Sequence, residues 1–224
     1  MRWRLSSAVL ASALIFSTSA ALGHGGEHHS PQPQAEKASS PATPPALAPN
    51  TPGFPSLVRG EFELIDQFGQ PRTAENPDGR RQLVFFGYAN CQAICSVALP
   101  RMASAVDLLA ARGVAVTPVL ITVDPARDTP EAMRKALPER HPDLVGLTGS
   151  DQALQAAYDA FQVEKKVVYE HPELGPIYAH GSFIYVLDAE GGFETVMPPV
   201  LSPERMADIV ARYASADETS AEAK

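Results

Sequence analysis

The sequence predicts an α/β fold, a central mixed sheet flanked by helices. Three observations predict it. Two continuous apolar runs, Leu83–Tyr88 and Val114–Val123, have the composition of strands buried on both faces. Between them, Cys95, Ala98, Leu99, Met102, Ala105, Val106 and Leu109 recur at helical spacing. A third apolar run, Ser182–Asp188, turns at Glu190-Gly191-Gly192 into Phe193–Met197, the pattern of a hairpin.

The remaining elements fall around this frame. Glu61–Asp66 alternates apolar and polar residues as a strand does. Gln67-Phe68-Gly69-Gln70 and Asn76-Pro77-Asp78-Gly79 have turn composition. The first helix should stop at Gly113. After Asp124-Pro125, Thr129 can cap a helix with Pro130 at its first position, ending near Pro138. Asp143–Leu147 suits a short strand. Ser150 or Asp151 can cap a helix through Phe161, and Val163–Tyr169 is β-rich. Ser202-Pro203-Glu204 opens a last helix to about Tyr213, and residues 215–224 are expected to form a flexible tail. Strands alternating with helices imply a sheet covered on both faces. A cysteine pair after the first central strand, at the start of the next helix, is a thioredoxin-like arrangement.

This domain spans residues 58–214. Ahead of it, Arg2 and Arg4 precede an apolar stretch from Leu5 to Phe16, and small residues follow at Thr18–Ala21. Residues 1–23 are therefore expected to be a signal peptide. The apolar run is about 12 residues, against the roughly 20 that span a bilayer; an uncleaved anchor is the alternative. Either way the domain is expected outside the cytoplasm, in the periplasm. No cysteine follows the apolar stretch, which argues against a lipid anchor. Residues 24–57 are expected to be a disordered leader, His-rich and then Pro/Ala-rich. His24, His28 and His29 form a metal-prone tract. Cleavage after Ala21 would leave Leu22-Gly23-His24, which can bind square-planar Cu(II) or Ni(II); a solvated leader is the competing reading. The net charge of −8 and pI of about 5.2 argue against nucleic-acid binding.

Cys91 and Cys95 are the only cysteines. In an oxidising compartment a lone pair forms a disulfide unless a reductant or metal protects it. On a helix they stand one turn apart on one face, and the helix N-terminus favours thiolates. Two converging thiolates suit a soft ion, above all Cu(I). Zinc would want four ligands. Among the other histidines, His141 and His171 each precede a proline in surface-loop contexts, His141 most naturally on a surface turn. His180 differs, since it directly precedes the Phe183–Leu187 strand and can face the cysteines across the sheet edge; a capping or core histidine is the bland alternative. A metal-independent thiol–disulfide oxidoreductase using Cys91 and Cys95 as a redox pair is the rival function, and the two activities are compatible. A peroxiredoxin-like peroxidase is disfavoured because its Pro-x-x-x-Thr-x-x-Cys loop is absent.

The motifs resemble the Sco/SenC family of thioredoxin-like copper chaperones over about Val58 to Tyr213. The resemblance rests on Gly60–Asp66, on Phe86-Gly87-Tyr88 followed by Cys91-x-x-x-Cys95, and on Ile121–Thr129. It continues through Leu144–Gly149 and His180 ahead of Phe183–Asp188. It implies copper held by Cys91, Cys95 and His180. The implied client is subunit II of cytochrome c oxidase or a related copper protein, with a periplasmic thiol reductase or another copper chaperone as further partner. The chain also departs from the family pattern. Gln92, Ala93 and Ser96 replace a Pro, an Asp and a Pro around the cysteines, and Ala179 replaces an Asp before the histidine. Fewer carboxylates predict weaker Cu(II) binding relative to Cu(I). The charged turn Asp124, Arg127, Asp128 belongs to the shared motif, and loop hydrogen bonding and helix capping account for it.

Overall fold

The computed structural model describes residues 54–76, 78–89, 95–173 and 175–222, with backbone alone at residue 95 and over 217–222. The expected signal, the histidine tract and most of the linker lie outside the described residues, and so does Cys91.

The elements are β1 (Glu63–Asp66), β2 (Pro71–Thr73), β3 (Arg81–Gly87), α1 (Cys95–Ala111), β4 (Val116–Thr122), α2 (Pro130–Ala136), β5 (Val145–Thr148), α3 (Asp151–Ala160), β6 (Lys165–His171), β7 (Gly175–His180), β8 (Ile184–Leu187), β9 (Phe193–Met197) and α4 (Pro203–Glu222). Seven strands make one mixed sheet in the order β2-β1-β5-β4-β3-β8-β9. The central β3, β4 and β5 are parallel. The flanking pairs β1–β2, β1–β5, β3–β8 and β8–β9 are antiparallel. Among the described residues β6 and β7 pair only with each other, as a separate antiparallel hairpin.

Burial explains why the centre was readable. β4 is buried throughout and β3 from Gln82 onward, as parallel strands covered on both faces must be. In α1 the expected stripe is inside: Ala98, Leu99, Met102, Ala105, Val106 and Leu109 are all buried. α1 packs on β4 and against α4, which buries Met206, Ala207 and Val210. Gly113, with φ +80°, ends α1, because this left-handed conformation costs a residue with a Cβ. Thr129 caps α2, accepting from Ala132 N at 3.2 Å with Pro130 next, and Ser150 caps α3, accepting from Ala153 N at 3.2 Å.

Gly146 shows how closely α2 approaches β5. A Cβ there would lie 2.8 Å from Met133 Sδ and collide with Leu137. Gly146→Ala is expected to cost about 1–3 kcal/mol, the usual range for overpacking, read as a lower urea midpoint with unchanged slope. A loss below about 0.5 kcal/mol, typical of surface changes, would show that α2 can yield.

Four features depart from the sequence expectations. β2, between the two expected turns, pairs with β1 where no strand was expected. α4 continues past Tyr213 to Glu222, and the Ala and Glu content of that stretch favours a helix; residues 223–224 are outside the described part. His141, expected on a surface turn, is buried. Its Nε2 lies 3.3 Å from Asp107 Oδ1, and its Nδ1 accepts from Asp143 N at 3.1 Å, so the turn folds back onto α1. The fourth departure bears on function. The stretch from Glu170 to Gly181 is not a plain loop, because most of it forms the β6–β7 hairpin. β6 is largely exposed and β7 half-buried, so no apolar alternation announces them.

Candidate metal centre

β3 carries the chain to the cysteines. After Gly87 come Tyr88 and Ala89, both buried, and the described chain resumes at Cys95, the first residue of α1. The Cys95 side chain and all of Cys91 lie outside the described atoms. Among the described residues no three His, Cys, Asp or Glu side chains gather as a metal-holding group.

His180 closes β7 and is half-buried. Its ring lies edge-on to Phe85 and to Tyr88, with centroids 6.3 Å apart in each case. The histidine thus stands at the end of β3 that leads into the cysteines. Nδ1 lies 2.9 Å from Gly181 O. A carbonyl only accepts, so this bond places the proton on Nδ1 and leaves the Nε2 lone pair for a ligand. Metal-binding histidines are commonly oriented this way, with the second ring nitrogen bonded to a carbonyl or carboxylate. A cleft of about 570 Å³ opens beside His180, between Phe54, Lys166, Ala179, Phe183 and Tyr185.

Aromatic groups shape the surroundings. Tyr88 also meets Tyr178 edge-on at 6.3 Å. Lys165 pairs in register with His180 across the hairpin, and its Nζ lies 4.4 Å from the Tyr178 ring centroid and 5.8 Å from that of Tyr158. Burial lowers the Lys165 pKa, against the pull of Asp124 and Asp151. Burial raises the Tyr178 phenol, and Tyr158 well above the phenolic range; Tyr185 is pushed up to about 12. These phenols stay protonated near neutral pH and act as apolar walls. Tyr158 donates its hydroxyl to Thr122 O at 2.8 Å.

The charged turn after β4 forms a second layer. Asp128 Oδ2 accepts from Ala89 N at 3.0 Å and from Thr122 Oγ1 at 2.7 Å. Arg127 pairs with Asp124 and donates to Pro176 O at 2.7 Å. Its guanidinium carbon lies 5.5 Å from the Tyr88 ring centroid. Helix capping belongs to Thr129; the two aspartates and the arginine instead tie neighbouring segments together. Sequence reading missed these ties, together with Tyr88, Tyr178 and Lys165. The alternation of Tyr178 with His180, two residues on, was the one available signal.

Asp128 is 1% exposed. Burial raises its pKa above the ordinary 3.8, opposed by the bonds from Thr122 and Ala89. In the folded state it therefore keeps a proton that the unfolded chain has already lost. Its ionisation weakens folding as pH climbs from 3.8 through the raised value, and adds nothing further above it. Asp128→Asn removes this dependence. Urea titrations across that window are expected to show the variant gaining on wild type as pH rises; a constant difference would contradict the assignment.

His141 and His171 do not join His180. His141 is bonded at Asp107 and Asp143, and His171 ends β6 at the hairpin turn, accepting from Glu173 N at 3.1 Å. Tyr169 meets the His171 ring edge-on.

A mixed sheet whose central strand runs into a cysteine-bearing helix, with an antiparallel hairpin at one side, defines the thioredoxin-like class. Comparison with known proteins narrows this. The family model SCO1/SenC matches residues 50–215, and the chain belongs to that family. The SCO2-like protein RC0895 of Rickettsia conorii is 37% identical over 61% of this chain and 67% of its own length. Protein SenC of Rhodobacter capsulatus is 34% identical over 72% of this chain and 73% of its own. Among solved structures, Arabidopsis thaliana ScoI with copper bound superposes with a TM-score of 0.67 at 29% identity, covering 71% of this chain and 99% of that one. Members of this family take part in copper handling and cytochrome oxidase assembly.

Proposed function

We propose that this protein is a periplasmic copper-binding metallochaperone. It holds copper as cargo through Cys91, Cys95 and His180 and delivers it to the copper centre of cytochrome c oxidase, with subunit II as the client. One observation carries the reading. His180 reaches the cysteine end of β3 from a distant hairpin, with its proton committed at Nδ1 and its Nε2 lone pair available. A thiol–disulfide exchanger needs no such histidine. Two thiolates and a neutral imidazole are a soft donor set that suits Cu(I). The copper-bound relative supports the same cargo, and the signal-like N-terminus supports the compartment.

Charge favours Cu(I) over Cu(II). With two thiolates, a Cu(I) site carries one net negative charge and a Cu(II) site none. Ala179 supplies no carboxylate that would favour the doubly charged ion. Titration with both oxidation states is expected to show tighter Cu(I) binding; tight, long-lived Cu(II) binding would contradict this preference.

His180→Ala is the deciding variant. Competition titration should show Cu(I) affinity falling at least about tenfold, the lower bound for losing even an outer partner of a metal site. Thiol–disulfide exchange by Cys91 and Cys95 should persist. Unchanged copper affinity with persisting exchange would instead establish the oxidoreductase reading.

A further inference from the structure

The turn between β4 and α2 bonds to two segments at once, the chain just after β3 and the β6–β7 hairpin. On one side, Asp128 accepts from Ala89 N, just ahead of the cysteine segment. On the other, Arg127 donates to Pro176 O, near the start of β7. The same guanidinium lies over Tyr88, whose ring in turn meets Tyr178 and His180. Among the described residues β6 and β7 have no strand partner beyond each other, so the main sheet does not hold this hairpin in place by backbone pairing. Arg127 supplies a direct hydrogen bond from the core turn to the hairpin backbone. Asp124, 1% exposed, pairs with the guanidinium and fixes its direction. A planar fork can serve a carboxylate, a carbonyl and a ring face together; an ammonium cannot.

We infer that Arg127 is a positioning residue: it straps the β6–β7 hairpin to the end of β3 and thereby sets His180 beside Tyr88 before the cargo arrives. The inference rests on the copper reading only for its consequence in binding. The strap itself is a property of the metal-free protein. A preorganised ligand binds more tightly because the cost of ordering it has been met beforehand.

Two measurements test this. The first is amide hydrogen exchange of the metal-free protein. Arg127→Ala is expected to speed exchange over Ile177–His180 by at least about tenfold while β3 and β4 keep their protection, and Arg127→Lys should restore protection only in part. Unchanged hairpin exchange would overturn the strap, and equal acceleration in β3 and β4 would reduce Arg127 to general stability. The second is a double-mutant cycle on Cu(I) affinity. Arg127→Ala should weaken binding about 10–100-fold when His180 is present, the range for outer partners of metal ligands, and less than about twofold in the His180→Ala background. Equal losses in both backgrounds would overturn the positioning role. If His180→Ala alone left affinity unchanged, the copper reading would fail, and the exchange measurement would still decide the strap.

Discussion

Cys95→Ser is expected to lower Cu(I) affinity by more than about 100-fold, since outer partners of metal ligands already cost 10–100-fold when removed. A serine hydroxyl stays protonated near neutral pH and is a hard donor, so it replaces neither the charge nor the softness of a thiolate. The loss should exceed that of His180→Ala, because a cysteine contributes charge as well as a bond. Cys95 is the first residue of α1, where the helix dipole favours the anionic thiolate. Serine is tolerated near a helix start, so the fold should survive. Competition titration, with circular dichroism as a check on folding, reads both expectations. Affinity within about tenfold of wild type would sink the assignment of Cys95 as a ligand. Disulfide formation is lost in the same variant, so only the comparison with His180→Ala separates copper holding from thiol exchange.

Phe86→Ala should produce the largest loss of stability, about 3–5 kcal/mol. Phe86 is fully buried in β3. Its ring meets Phe161 at 5.1 Å, Tyr185 at 5.8 Å and Tyr158 at 6.0 Å, each edge-to-face. These neighbours come from α3 and its C-terminal end and from β8, so the cavity cannot close by moving one element. The strand bond network on either side also resists collapse, since β3 pairs with both β4 and β8. Such a loss is a large share of the 5–15 kcal/mol typical of a domain. Urea unfolding measures it. Phe68, 62% exposed in the β1–β2 turn, is the control: Phe68→Ala should stay within about 0.5 kcal/mol. A Phe86→Ala cost below about 1 kcal/mol would show that this aromatic cluster repacks.

Much of the fold was legible because its signals are local. The apolar runs of β3 and β4 record burial on both faces. The α1 stripe records one helix face against the sheet. Thr129-Pro130 and Ser150 mark helix starts because their own side chains cap the following turn. The β8–β9 hairpin was announced by Gly191-Gly192 between two apolar strands. The proposed donor set, Cys91, Cys95 and His180, came from residue type and spacing together with the family resemblance.

What the chain did not disclose was how His180 is held. β6 and β7 bury no continuous face, so their alternation is hidden, and proline and glycine near the turn made the stretch resemble a loop. The strap from Arg127 ends on the carbonyl of Pro176, and the brace from Asp128 ends on the amide of Ala89. The contact of His141 with Asp107 likewise joins residues far apart in the chain. The sequence by itself determined the central strands, the helices and their caps. Only the tertiary structure decided which end of which strand His180 meets and what keeps it there. Local conformation and periodic burial are encoded in side chains, whereas a bond to a backbone carbonyl or amide leaves no mark on the residue that offers it.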